Sequence, residues 1–231
     1  MRLKKPNPFL NLACPQPLGP GSFEMASSLV EATNIQAGMR VLEVGAGTGQ
    51  IAATLAKYWD VTVVTLEPWG DLNTIHENAE ELGVSNRVLA LNVVAQRLPF
   101  ADNCFDAEIS IGSFEMIKDE RPEALKELIR VSKEGARIGI AEPMCLHEEL
   151  PADLITIDYF CDSKEYFRTV EWNANLFRQY GLNITSQYYF DDGYKWWVDN
   201  FRYYDGNKEE ILQDGGRWLS LGLVVREKQN S

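Results

Sequence analysis

A glycine-rich segment is the part of this 231-residue sequence whose residue types and spacing point first to chemistry. In the letters VLEVGAGTG, a β-branched run ends at Val44 and is followed by Gly45, Gly47 and Gly49, and a helix is predicted from Gln50. Glycine tolerates positive φ and lets a ligand approach the main chain without a Cβ in the way. The dinucleotide fingerprint GxGxxG requires a glycine at position 50, so nicotinamide dinucleotide binding is disfavoured.

Two acidic residues accompany this loop. Glu43 lies two residues before Gly45 and suits a ligand with an amino group, or an ordered water, whereas it would repel a phosphate. Glu67 ends the run VTVVTLE, 18 residues after Gly49, where a carboxylate can accept both ribose hydroxyls of a nucleoside. An isolated acid at a strand end is usually just solvated. Loop and acid at this spacing, however, predict a nucleoside-binding site.

Short β-branched runs that alternate with helical segments must position these residues. Strands are predicted at 41–44, 61–66, 88–93, 107–111 and 136–141, and the clearest helices at 50–58, 71–82 and 122–131. Strands that alternate with helices imply parallel pairing through right-handed crossovers. The sequence therefore predicts a doubly wound α/β sheet, with its ligand site at the carboxyl ends of the strands.

The pattern changes after Pro143. A helix is predicted over 169–180, followed by strands over 183–190 and 218–226 that would give the sheet an antiparallel end. Seventeen of the 25 aromatic residues lie between 158 and 218, interleaved from 188 to 205 with aspartates. Ring faces and carboxylates attract organic cations, so this stretch predicts a neutral or cationic amine, or a flat aromatic compound, as the ligand. Packing of a strand pair, or a homodimer contact, explains the same rings equally well.

Composition excludes several classes of protein. The 22 basic and 34 acidic residues give a net charge of −12, which argues against a nucleic-acid partner. No run of about 18 apolar residues is present, so no membrane span is predicted. The first residues, MRLKKPNPFLNLACP, are interrupted by prolines and asparagines and are interpreted as part of the mature protein. Four scattered cysteines without a CxxC pair fit a reducing, cytoplasmic location and indicate no metal site.

The string VLEVGAGTG, Glu67, the segment RLPFADNCFDAEIS and the segment VSKEGARIGIAEP resemble, in order and spacing, the class I S-adenosylmethionine-dependent methyltransferases, especially the UbiE-like small-molecule group. The resemblance covers about residues 38–143. It implies a Rossmann-like seven-stranded sheet whose last strand is antiparallel, with S-adenosylmethionine over the carboxyl ends of the first strands. The cofactor-binding residues that it implies are Glu43, Gly45, Gly47 and Gly49 for the methionine part, Glu67 for the ribose, and Gly112 and Ser113 beside the amino group and sulfonium.

The sequence departs from the family at one position. Similar proteins often read GDAE before the LPF letters, and that aspartate receives the adenine amino group. The same register here places Val94 at the aspartate position, followed by Ala95 and Gln96. The adenine contact is therefore expected from this neighbourhood, through Ala95 and Gln96 or a backbone carbonyl.

Two residues are candidates for the chemistry. His147 follows the fifth strand, where a general base could stand, and a solvated loop histidine is the alternative. Glu115 follows the fourth strand and is expected to point toward the substrate, and an acid at a helix start is its alternative. Methyl transfer from a sulfonium can proceed by positioning alone, so a base is optional.

The sequence thus predicts one methyltransferase domain over 1–231. Its parts are an N-terminal lid (1–36), a cofactor-binding core (37–142), and a substrate-side lid with the C-terminal strand pair (143–231). The segments 6–30 and 143–157 are expected to close over the crevice, because both join the carboxyl side of the sheet. The expected activity is methylation of a small molecule, cationic or aromatic, and the alternative is a non-catalytic S-adenosylmethionine sensor.

Overall fold

A computed structural model describes residues 7–229, so the first six residues of the predicted N-terminal lid and the last two of the C-terminal part lie outside it. Seven strands form one sheet. In chain order they are β1 Arg40–Val44, β2 Thr62–Leu66, β3 Val88–Leu91, β4 Phe105–Ile111, β5 Ser132–Cys145, β6 Asn183–Tyr189 and β7 Leu219–Glu227.

The strand order β3-β2-β1-β4-β5-β7-β6 confirms the predicted doubly wound sheet. The first five strands pair in parallel, in registers such as Val41 with Val63 and Val41 with Ala107. β7 runs antiparallel to both of its neighbours, β5 and β6, which confirms the predicted antiparallel end. Because the order reverses at β1, the carboxyl ends of β1 and β4 flank the crevice where ligands bind in such sheets.

Eight α-helices connect the strands of the described part of the chain. They are α1 Ser22–Ala32, α2 Gln50–Tyr58, α3 Leu72–Glu81, α4 Arg121–Val131, α5 Asp158–Ser163, α6 Val170–Gln179, α7 Gly193–Asp199 and α8 Lys208–Asp214. A 3₁₀ segment, Phe114–Glu120, joins β4 to α4. Asp71 caps α3 by accepting the Asn73 amide, and Thr169 caps α6 by accepting the Trp172 amide.

Most of the sheet is buried on both faces, whereas the edge strand β6 keeps exposed side chains. Leu29, Leu55 and Ile75 of the helices α1, α2 and α3 pack on one face. Leu125 and Phe177, from α4 and α6, pack on the other. The near-continuous apolar strands follow from this burial, because a sheet covered on both sides has no solvent-facing row of side chains.

Helix α1 follows Gly21, which has φ 64°, and the Ser22 hydroxyl donates to the Gly19 carbonyl. The third strand was predicted over 88–93 but ends at Leu91, and the Asn92 side chain donates to the carbonyls of Glu67 and Pro68. The aromatic stretch before β7 contains α7 and α8. Among residues 7–229, no helix is both long and apolar enough to cross a membrane.

Candidate active site

The glycine loop joins β1 to α2 as predicted, and its glycines have different tasks. Gly45, Gly47 and Gly49 all have positive φ, of 80°, 55° and 79°. A Cβ on Gly45 would lie 2.1 Å from the Ser113 Oγ, and one on Gly49 would lie 2.5 Å from a methyl of Ile75. These two glycines are therefore required by close packing. At Gly47 the atoms nearest to a Cβ belong to the exposed side chain of Leu18, the closest at 3.0 Å, and Gly47 lines the cavity described below.

Glu67 ties the glycine loop to the turn after β2. Its Oε2 accepts the Gly47 amide at 2.8 Å, and its Oε1 accepts the amides of Trp69 and Gly70 at 3.0 and 2.9 Å. The side chain is buried, and a carboxylate offers about four acceptor positions. Three of them are occupied by the backbone, which leaves about one, on Oε2, for a ligand hydroxyl.

Gly112 and Ser113 form the opposite wall, at the carboxyl end of β4. Gly112 has φ 60°, and a Cβ built on it would meet no atom within 4 Å. The Ser113 hydroxyl donates to the Val44 carbonyl at 2.6 Å and lies 2.8 Å from the Ser110 hydroxyl. Ser113 thus fastens β4 to β1, while Gly112 leaves its backbone open to the crevice.

These elements surround a cavity of about 410 Å³ whose further wall is the N-terminal segment. Gln50 holds that segment in place. Its Nε2 donates to the Cys14 carbonyl and its Oε1 accepts the Gln16 amide, both at 2.9 Å. Gln50, where the sequence departs from the GxGxxG fingerprint, therefore holds the N-terminal segment in place beside the cavity.

Apolar side chains at the rim of the cavity were not identified from the sequence. Leu18, Trp69 and Met116 all line it, with exposed fractions of 76%, 73% and 44%. Trp69 was detectable in principle, because it follows Glu67 by two positions in the same turn. Leu18 and Met116 carried no such signal, since their positions depend on how separate segments fold over the sheet.

Glu43 does not line the cavity. It lies 1% exposed between β1 and β2, where its Oε2 accepts the Thr65 hydroxyl at 2.5 Å. Burial is the main cause that raises its pKa to about 8, with a smaller contribution from Glu67. At neutral pH it is therefore mostly a neutral acid beneath the glycine loop, which accounts for its place in the VLEVG string without direct ligand contact.

The residues expected near the adenine also lie away from the cavity wall. The Ala95 side chain is buried in the core. The Gln96 amide donates to Glu120 at 2.6 Å. Val94 is 44% exposed. This placement gives no direct support to Ala95 and Gln96 as cofactor contacts, because their side chains are engaged elsewhere.

Glu115 is 4% exposed and faces another buried acid instead of a substrate cavity. The Glu142 carboxylate accepts the Glu115 amide at 3.0 Å, and the two carboxyl groups are near neighbours. Burial, and then Glu142, raise the pKa of Glu115 well above its ordinary value. Arg121, also buried, donates to the carbonyls of Glu115 and Tyr166. The group braces the turn after β4 against the segment after α5.

His147 lies in a different part of the surface. It is exposed and lines an open groove with Glu148, Glu149 and Glu171, which shares no residue with the cavity beside the glycine loop. Its carbonyl accepts the Trp218 indole N–H at 2.9 Å. The structure therefore does not bring His147 and Glu115 together at one reacting centre.

All four cysteines are free thiols. Cys14 is exposed, whereas Cys145 is buried and burial raises the pKa of its thiol to about 11. Within residues 7–229, no group of three or more Cys, His, Asp or Glu side chains is arranged to hold a metal ion.

Several rings of the late aromatic stretch pack the fold. The Trp197 indole is buried and donates to the Ser220 carbonyl at 3.2 Å. The Tyr189 hydroxyl donates to the Cys145 carbonyl, and the Tyr194 hydroxyl to the Ile211 carbonyl. The packing alternative therefore holds for these three rings. Tyr204 remains 64% exposed.

Sheet order, glycine loop and crevice together define the fold of a class I S-adenosylmethionine-dependent methyltransferase, the class that the sequence resembles. Residues 41–135 match the family model described as a methyltransferase domain. The chain is 32% identical over 127 residues to methyltransferase GfsG of Streptomyces halstedii, which covers 54% of this chain and 45% of the relative. It is 30% identical over 116 residues to the ubiquinone/menaquinone biosynthesis C-methyltransferase UbiE of Pseudomonas putida, which covers 49% of this chain and 45% of the relative. The chain thus spans somewhat under half the length of these curated relatives.

Solved structures share the fold over nearly the whole chain. Phosphoethanolamine N-methyltransferase 2 of Haemonchus contortus, in complex with S-adenosylmethionine, has a TM-score of 0.75 at 17% identity, covering 93% of this chain and 54% of that one. The [4+2]-cyclase SpnF has a TM-score of 0.76 at 19% identity, covering 97% and 92%. Because the second is a cyclase, the shared fold does not by itself fix the reaction.

S-adenosylmethionine is the cofactor of this class, and the cavity fits it in three respects. The volume of about 410 Å³ lies in the usual range for small-molecule sites, ~300–1,000 Å³. Gly47 and Gly112 present backbone without side chains to a ligand. Glu67 retains an acceptor position for a hydroxyl.

Proposed function

We propose that this protein transfers a methyl group from S-adenosylmethionine to a small-molecule acceptor. The observation that carries the proposal is the cavity between the glycine loop, the Glu67 turn and Gly112-Ser113, closed on its outer side by the N-terminal segment. In this proposal Gly45 and Gly47 receive the methionine part, Glu67 accepts one ribose hydroxyl, and Gly112 borders the sulfonium. Gly49, which does not line the cavity, packs the loop against Ile75.

When bound, S-adenosylmethionine supplies an activated methyl group whose in-line displacement needs no further cofactor. The chain's own contribution is to orient the reactants and to keep water out. Among the described residues that line the cavity, Glu67 is the only ionisable side chain, and its carboxylate is held by three amides. Positioning rather than proton transfer at this cavity is therefore the proposed source of catalysis, with Glu115 and His147 left outside the reacting centre.

The N-terminal segment excludes water in this proposal. Gln50 fixes its backbone at Cys14 and Gln16, and Leu18 lies over Gly47. Entry of the cofactor requires this segment to move, because it forms one wall of the cavity. The predicted lid function of the N-terminal part is thus retained as part of the proposal.

Calorimetric titration with S-adenosylmethionine, S-adenosylhomocysteine and NAD tests the proposal, followed by mass spectrometry for methylated products in a metabolite extract. We expect both sulfur compounds to bind and NAD not to bind. A ligand at 100 times its Kd raises the free energy of unfolding by about 2.7 kcal/mol, so thermal shifts give an independent readout. Binding of neither sulfur compound would overturn the proposal.

The alternative is a sensor that binds S-adenosylmethionine without transferring its methyl group. Cofactor binding with no methylated product from any extract would favour it. A second cavity, of about 630 Å³, shares the lining residue Met116 with the first and favours the enzyme, because a sensor needs only one cavity.

A further inference from the structure

A second cavity, of about 630 Å³, adjoins the cofactor cavity. Met116, in the turn after β4, lines both cavities. The other walls of the second cavity come from α5, the residues that follow it, and the start of α8. The two cavities therefore meet at the Met116 side chain.

The walls of this second cavity combine rings and acids. Tyr159, Tyr166 and Phe167 supply aromatic surface. The acids are Asp158 and Asp162, which lie four residues apart on α5 and so share a face, and Glu210 on α8. No lysine, arginine or histidine is among the described residues that line it.

The three carboxylates are free of protein partners. Within residues 7–229, none of them forms an ion pair or a side-chain hydrogen bond. Acids elsewhere are paired, for example Asp153 with Arg217 at 2.8 Å. A cation does lie beside the cavity, because Lys118 sits 4.2 Å from the Tyr166 ring centroid, but Glu165 neutralises it at 2.9 Å. The negative charge of the lining residues is thus available to a ligand.

We propose that this second cavity binds the methyl acceptor, and that the acceptor is recognised as a small organic ammonium ion with an apolar body. Because an ammonium nitrogen has no lone pair, it first releases its proton to solvent water. The free amine then forms the bond to the methyl carbon as the bond from that carbon to sulfur breaks and S-adenosylhomocysteine leaves. The inference rests on the proposed function, since it takes its meaning from the shared residue Met116. Ring faces attract organic cations, and unpaired carboxylates of the same wall add to that attraction. The sequence predicted a cationic or aromatic ligand from residues 188–205, whereas the acids and rings that carry the proposal are those of α5, the residues that follow it, and α8.

Other acceptor classes fit the walls less well. An anionic acceptor would face three unpaired carboxylates with no opposing lysine or arginine in the lining. Asp158 and Asp162 are exposed and Glu210 is half-buried, so a neutral apolar acceptor would gain nothing from their charge. An ammonium ion satisfies both the rings and the acids.

Calorimetry on the full chain, with and without saturating S-adenosylhomocysteine, tests the charge preference. The probes are 2-phenylethylammonium and 2-phenylethanol, which share a ring and a two-carbon chain and differ in charge, and 3-phenylpropanoate as the anion. We expect the ammonium ion to bind at least tenfold more tightly than the alcohol, with the anion weakest. The preference should shrink as the salt concentration rises.

A matched pair of double variants locates the effect. Asp158→Asn with Asp162→Asn should remove most of the tenfold preference while affinity for S-adenosylhomocysteine stays within twofold. Glu77→Gln with Glu80→Gln, on α3 and outside both cavities, removes the same net charge and should leave the preference intact. Equal binding of the ammonium ion and the alcohol, or equal losses in the two double variants, would overturn the inference.

The two proposals fail in different ways. If S-adenosylhomocysteine binds and the ammonium preference is absent, the inference fails and the proposed methyl transfer stands. If S-adenosylhomocysteine does not bind, the proposed function fails, and an ammonium preference measured without it would show a cation site that is not an acceptor site.

Discussion

The two adjoining cavities are built from different parts of the chain. The cofactor cavity is bounded mainly by loops at the ends of β1, β2 and β4, and its fixed contacts are backbone amides on Glu67 and glycines with positive φ. The second cavity is bounded mainly by side chains of two short helices, α5 and α8, and of the residues that follow α5, in segments inserted after β5 and β6. Backbone geometry can be shared by many sequences, whereas side chains on short helices vary independently. We therefore expect proteins of this fold to share the cofactor and to differ in the methyl acceptor that they bind.

The largest expected effect concerns a ring of the later region that lines neither cavity. Trp197→Ala should lower the free energy of unfolding by about 3–5 kcal/mol, because it empties a buried site and leaves the Ser220 carbonyl without its indole donor. Denaturant unfolding measures it. Trp69→Ala is the control, since an indole that is 73% exposed should change stability by less than about 0.5 kcal/mol. Reduced turnover by Trp197→Ala at unchanged stability would contradict the assignment of Trp197 to the core and would indicate a role in substrate binding.

Gly47→Val should weaken S-adenosylhomocysteine binding at least a hundredfold, about 2.7 kcal/mol, because a branched side chain would enter the cofactor cavity. It also strains the backbone, since φ is +55° there. Gly83→Val is matched for this strain, with φ +71° and no atom within 4 Å of its Cβ. Titration and circular dichroism separate the two effects. Similar cofactor affinities in both variants would show that the loop is only structural.

Glu43, beneath the glycine loop, makes the free energy of unfolding depend on pH. Its pKa is raised to about 8 when folded, mainly by burial, from an ordinary 4.5. The unfolded chain therefore releases this proton first, and the free energy of unfolding falls as pH rises from about 4.5 to 8. Glu43→Gln should remove this loss and be more stable than the parent by about 3 kcal/mol at pH 7, with little difference at pH 4.5.

Denaturant unfolding across that pH range measures the effect of Glu43. Glu77→Gln, an exposed acid on α3, serves as the control and should show no such pH-dependent difference. A constant offset between Glu43→Gln and the parent at every pH would contradict the proton-linked explanation.

The smallest expected effect tests the closure of the cofactor cavity. Gln50→Ala removes the two hydrogen bonds that hold the N-terminal segment, each worth about 0.5–1.5 kcal/mol. We expect cofactor affinity to fall about three- to tenfold, with faster hydrogen exchange over residues 14–23. Gln36→Ala, on the exposed surface, should change neither quantity. Unaltered exchange in Gln50→Ala would show that the segment is held by other contacts.

The sequence predicted the elements around the cofactor cavity more completely than the region after β5. The predicted bounds of α2, 50–58, were correct at both ends. Gly49 lies directly before the first turn, and the apolar residues of the helix keep helical spacing. Spacing within a single βαβ unit also brought Glu67 to the loop, since the parallel registers of β1 and β2 fix that distance. Local patterns were sufficient where the contacts are close in sequence.

The predictions that found no support depend on contacts between distant segments. Glu115 was expected near the substrate, but its surroundings are set by Glu142, 27 residues later, and by Arg121. The acids of the second cavity come from α5 and α8, and their convergence depends on how both helices pack. No spacing rule in the sequence encodes that arrangement. The sequence therefore predicted a site of rings and carboxylates in the C-terminal region but not the residues that form it.

β7 follows β6 along the chain but is inserted between β5 and β6 in the sheet, and β6 pairs with no strand except β7 among the described residues. On a ribosome, β1 to β5 emerge first and can pair with one another, while β6 must wait for a strand made later. Until β7 arrives, the open edges of β5 and β6 are available to strands of other chains. The strands that bound the cofactor cavity, β1, β2 and β4, can thus pair early in synthesis. The region that follows β5 is exposed to mispairing until the final strand is made, so strand order along the chain sets when this protein is most prone to aggregate.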